Sequence, residues 1–127
     1  MLAWYWQVSA VALGGAAGAV SRHFLNIISM RVLGTAFPYG TMLINLTGSF
    51  VLGWFLTTLP RGTPQGEWWR LLIAVGFLGA YTTFSTWTYE SHLLFREGLL
   101  GHALGNLLGS LLCGMLAVWL GVWAGSQ

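Results

Sequence analysis

The sequence predicts an all-α integral membrane protein with four transmembrane helices, and three observations carry that prediction. Of 127 residues, 56% are hydrophobic and only 6% are charged, whereas a soluble domain carries about a quarter charged residues. Four apolar stretches each come near or exceed the ~20 residues that cross a bilayer as a helix. Seven of the eight tryptophans fall toward one face of the up-down arrangement that these stretches imply, as an interfacial belt does.

The whole chain, 1–127, is expected to form one membrane domain with helices over about 4–30, 39–59, 67–96 and 99–124. The segment PRGTPQG (60–66) is a loop punctuated by two prolines and two glycines. Both termini and this loop then lie on one side, with the turns 31–38 and 96–100 on the other. The opening MLAWYWQ lacks the basic region of a secretory signal, so the first helix is expected to remain. Five arginines and no lysine are too dilute for a nucleic-acid footprint. The lone Cys113 sits in an apolar stretch and makes neither a disulfide framework nor a metal cluster.

Arginine bias normally sets orientation. Arg61 and Arg70 fall on one side, Arg31 and Arg96 on the other, with Arg22 toward the end of its span. A chain so balanced is free to insert both ways, which permits an antiparallel two-fold dimer. A weak bias in one direction is the alternative.

The first helix carries GGAAGAVSRH (14–23), small residues that let helices approach closely. Arg22 reads either as a snorkelling anchor or as a group facing water. In the second helix, YGTMLINLTGSF (39–50) puts Thr41, Asn45 and Gly48 on one face at i, i+4 and i+7. Asn45 can bond a neighbouring helix or line a path.

The third helix holds GFLGAYTTFSTWTYE (76–90). Eight of the eleven side chains from Tyr81 to Ser91 carry a hydroxyl. A break near the middle of this helix, beginning at Gly79, is expected. Interrupted backbone in a membrane is tolerated only where protein buries it or where it lines a cavity, and channels use it to present carbonyls to ions. Phe84, Trp87, Thr88 and Ser91 then share a face, while Ser85 and Thr86 point toward neighbouring helices. Back-bonding to the same helix is the ordinary fate of such hydroxyls, but eight exceed it. The fourth helix offers a polar stripe, Asn106, Ser110 and Gly114, and a small-residue packing face, Gly101, Gly105 and Gly109.

This inventory is rich in donors and poor in carboxylates, Glu67, Glu90 and Glu97 being the only three. Hydroxyls and amides donate, and aromatic ring edges carry the positive part of the quadrupole. Desolvating a small ion costs on the order of tens of kcal/mol unless such groups replace its water. The inventory therefore favours a small hydrogen-bonding anion.

GGAAGAVSR (14–22), GTMLINLTG (40–48) and GFLGAYTTFSTWTYE (76–90) resemble, in order and spacing, the Fluc fluoride channels, also called the CrcB family. The resemblance covers essentially the whole chain, with helix 4 its weakest part. It implies a passive fluoride channel in the plasma (inner) membrane of a prokaryote, built with lipid around it as an antiparallel, dual-topology homodimer with two pores. Fluoride would leave the cytoplasm, where it accumulates because HF enters and dissociates. Asn45 matches the family asparagine at the pore entrance, and Phe84 the first pore phenylalanine. Ser85 and Thr86 match the polar residues beside it, Ser110 a helix-4 serine, Arg22 the first-helix arginine, and Glu90 the helix-3 carboxylate. Trp87 stands where the family has a second phenylalanine and brings an extra N–H; Thr88 lies one turn past Phe84 on its face. Asn106 stands where relatives often have tyrosine. Gly79 and Thr82 match positions whose carbonyls, from both subunits, hold a central structural Na+.

Two other classes are weaker. A small multidrug-type transporter needs a carboxylate in its first helix, and residues 4–30 have none. A non-transporting scaffold has no use for a carbonyl-exposing break. An enzyme is not indicated, because no nucleophile–base or metal constellation appears.

Overall fold

The computed structural model describes residues 2–127. Its helices are α1 (Trp4–Leu33), α2 (Tyr39–Thr58), α3 (Pro64–Trp69), a π-helical segment (Arg70–Leu78), α4 (Gly79–Tyr81), α5 (Phe84–Arg96) and α6 (Leu100–Gly125). Four spans are long and apolar enough to cross a membrane: Trp4–Leu33, Tyr39–Thr58, Pro64–Arg96 and Leu100–Gly125.

The helix ends follow local chemistry. α1 continues past residue 30 until Gly34, whose positive φ of 82° suits glycine and ends the helix. The third span starts earlier than residue 67. Thr63 accepts a hydrogen bond from the Gly66 N–H, and Pro64 takes the first helical turn, where its missing N–H costs nothing. One of the two prolines that mark the loop therefore also starts a helix.

Neighbouring spans run antiparallel. At one end the Trp6 and Trp68 rings meet edge to face, and the Leu2 N–H donates to Glu67. At the other, Phe37 lies beside His102 at the start of α6. Glycines set the two closest helix contacts. Gly14 and Gly18 of α1 lie against the Leu72 and Phe77 carbonyls of the π segment. Gly53 of α2 faces the Val118 carbonyl of α6, and Gly121 faces Phe50.

The small-residue face expected on Gly101, Gly105 and Gly109 does not pack within the chain. Nothing surrounds the first two, and only the Met42 methyl nears the third. Such a stripe states that a helix can be approached, not that it is. The buried apolar core is small (Ala10, Ile44, Leu78, Leu94 and Ala103), while Leu108, Leu112, Met115 and Trp119 stand exposed. That inversion suits a hydrocarbon solvent.

Candidate functional site

The helical backbone of the third span is interrupted at two extended residues. Thr82 has φ −78° and ψ 157°, and Thr83 has φ −148° and ψ 121°. Both are β-branched, which favours extended backbone. Thr83 also caps α5, its hydroxyl accepting from the Thr86 N–H at 3.3 Å.

The backbone groups of Thr83 turn to α2. Its N–H donates to Asn45 Oδ1 at 2.8 Å, and Asn45 Nδ2 donates to its carbonyl at 3.0 Å. In a continuous helix that N–H would belong to the Gly79 carbonyl. The Thr82 carbonyl receives no hydrogen bond from the described residues. The same face of α2 supplies Gly48, which leaves room for the Thr82 methyl and the Tyr81 ring. One turn the other way, Thr41 donates to Glu90 Oε1 at 2.9 Å. Glu90 Oε2 is buried with no partner among the described residues.

A cavity of about 280 Å³ opens at this step, lined by Asn45, Ser49, Gly79, Thr82, Thr83, Phe84 and Trp87 with apolar neighbours. It brings together five of the pore and metal candidates, Asn45, Gly79, Thr82, Phe84 and Trp87. Phe84 is 74% exposed, and its ring centre lies 5.4 Å from that of Trp87, with the planes tilted by 59°. A second cavity of about 240 Å³ gathers Arg22, His23, Asn26, Thr41, Thr83 and Thr86. Thr83 lines both.

Three candidates line neither cavity. Ser85 is exposed. Thr88 donates to the Phe84 and Ser85 carbonyls of its own helix. Ser110 is buried and donates to Asn106 Oδ1 at 3.3 Å.

The hydroxyls are less available than their number suggests. Thr82, Thr88 and Ser91 back-bond to carbonyls of their own span, Thr83 donates to Thr86, and Tyr81 pairs with Thr47. Ser85 and Thr86 donate their hydroxyl protons to no acceptor among the described residues. The Trp87 indole N–H is engaged too, with the Asn106 carbonyl at 3.0 Å. Thr83 was not among the sequence candidates. Its signal is a threonine three residues before Thr86, at the start of a helical stretch.

Four apolar spans around a polar step define a small multi-pass α-helical membrane protein. The family described as "CrcB-like protein, Camphor Resistance (CrcB)" matches residues 9–122, and the chain belongs to it. It is 53% identical over 91 residues to "Fluoride-specific ion channel FluC" of Koribacter versatilis, covering 72% of each chain. The protein of that name from Acidobacterium capsulatum is 48% identical over 94 residues, 74% of this chain and 75% of its own. The one from Caulobacter vibrioides is 40% identical over 94 residues, 73% of this chain and 74% of its own.

Proposed function

We propose that this protein is a fluoride-selective channel, not an enzyme, that lets cytoplasmic fluoride leave down its gradient and so protects the cell. The observation that carries the reading is the cavity where Phe84, Trp87 and the Asn45-held step meet in mid-span. Ring edges there, and the free Thr86 proton in the adjoining cavity, can stand in for the water a small anion loses. Relatives named as fluoride-specific channels support the choice of ion.

The functional unit is an antiparallel homodimer in the bacterial inner membrane, surrounded by lipid. The outward Phe84 and the uncovered glycine stripe of α6 support a second copy. Gly79 and Thr82 are the residues that would hold a central Na+. Their fit rests on two carbonyls, one receiving no hydrogen bond from the described residues and the other deprived of its usual donor. A pair from each copy would make four oxygens of the kind that replace a cation's hydration shell, and the ion would supply positive charge that favours anions nearby.

The test is fluoride release from proteoliposomes of the purified protein, followed with a fluoride electrode and repeated with chloride. Fast fluoride release with little chloride leak is expected. Release of neither ion, or of both alike, would sink the reading.

A further inference from the structure

Trp87 and Asn106 form one bonded unit across α5 and α6. Asn106 has no exposed surface and, with Ile44, is among the largest fully buried side chains. Its backbone carbonyl accepts the Trp87 indole N–H at 3.0 Å. Its Nδ2 donates to Ser91 Oγ at 2.9 Å, and Ser91 Oγ donates to the Trp87 carbonyl at 2.8 Å. The circuit Trp87–Asn106–Ser91–Trp87 is therefore closed. Ser110 closes the remaining side by donating to Asn106 Oδ1.

The circuit has a consequence for the cavity. Trp87 lines it, yet the only strong donor on that ring is tied to α6. A free indole N–H facing an anion would make a charge-assisted bond, stronger than a neutral one. A conduction path needs binding weak enough to release its ion. An untied N–H would hold fluoride and slow its exit.

We infer that Asn106 is a positioning residue for the anion path: by locking α6 to Ser91 it keeps the indole N–H of Trp87 bonded to protein, so that Trp87 offers fluoride only its ring. This rests on the channel reading. Asn106 is not a group that touches the ion; it acts through Trp87.

Two measurements test the inference. In wild-type protein with 15N-labelled tryptophan, the Trp87 indole resonance, assigned with W87F, is expected to stay put as fluoride is added. A fluoride-dependent shift of that resonance would overturn the proposal. In proteoliposomes, W87F, which keeps an aromatic ring but has no indole N–H, supplies the reference values. N106L leaves the backbone carbonyl at 106 in place but removes the amide lock to Ser91 that aligns it with the indole, and is expected to lower both the half-saturating concentration and the maximal release rate about tenfold, the size of one hydrogen bond to a charged group. The double variant W87F/N106L should return to the W87F values. A purely structural role for Asn106 predicts loss of rate that persists in the W87F background, and that result would also overturn it. Should wild-type liposomes release no fluoride, the channel reading fails and the inference with it, while protection of the indole N–H from exchange still reports whether the tie exists. If N106L does not fold, the fluoride response of the wild-type Trp87 resonance decides.

Discussion

Asn45 takes the place of a backbone partner for Thr83. Its carboxamide accepts from the Thr83 N–H and donates to the Thr83 carbonyl, at 2.8 and 3.0 Å. An extended residue in the middle of a span has two polar groups and no helix to satisfy them, and within the bilayer core each unsatisfied group costs several kcal/mol. A primary amide is the side chain that offers one acceptor and donors in a single plane. Gly48, less than a turn further along α2, leaves the space that Thr82 and Tyr81 then occupy. One face of α2 thus explains how the third span can turn at Thr82 and Thr83, and the turn places Phe84 at the cavity.

Replacing Asn45 with aspartate removes the donor and sets a carboxylate oxygen against the Thr83 carbonyl. Leaving that carbonyl unpaired costs about 1–3 kcal/mol. Asn45→Asp is expected to cut fluoride release at least about tenfold, the equivalent of some 1.4 kcal/mol, and to lower the thermal midpoint in detergent. Wild-type release together with a wild-type midpoint would show that the clamp does not matter.

Phe84 separates function from folding. Its side chain is 74% exposed in the single chain and has no part in the buried core. Phe84→Ile keeps a similar apolar bulk but removes the polarised ring edge. The fold of the single chain should change in stability by no more than about 0.5 kcal/mol, as for surface positions, while electrode traces should show most of the fluoride release gone. Unchanged release from a folded variant would remove Phe84 from the path.

The Thr83 hydroxyl can be tested apart from its backbone. It caps α5 by accepting from the Thr86 N–H, and losing a cap costs ~1 kcal/mol. Thr83→Val keeps the β-branched shape and is expected to lower both stability and release; Thr83→Ser should restore stability. Equal thermal midpoints for the two variants would show that the cap contributes nothing.

The spans were legible because length and apolarity alone decide them. The third span's earlier start was not, since Pro64 reads as loop until Thr63 is seen capping it. The π segment has no composition of its own; the structure adds that Gly14 and Gly18 of α1 lie against its Leu72 and Phe77 carbonyls. Asn45, Gly79, Thr82, Phe84 and Trp87 could be gathered from the sequence as positions that match the family's motifs. That Asn45 serves Thr83 could not, because its partner lies 38 residues away. Trp87 and Asn106 stood out separately as departures from the family pattern; only the packing of α5 on α6 brings them into contact.

The glycines provide the sharpest contrast between a stripe that packs and one that does not. A Cβ on Gly18 would meet the Phe77 carbonyl, and one on Gly14 the Leu72 carbonyl, both backbone atoms that cannot swing aside. Overpacking of this kind costs about 1–3 kcal/mol or more, and here it would push α1 off the π segment that leads into the step. Gly105 has nothing within 4 Å of an added Cβ, so alanine there meets no atom of its own chain. Gly18→Ala is therefore expected to lower the thermal midpoint and the yield of folded protein, and Gly105→Ala to leave the fold of the chain intact. Size-exclusion profiles then separate two roles for the α6 stripe. A folded Gly105→Ala protein that elutes as a monomer would place the stripe against a second copy, whereas an unchanged dimer would leave it facing lipid. Equal midpoints for Gly18→Ala and wild type would contradict the close approach of α1 to the third span.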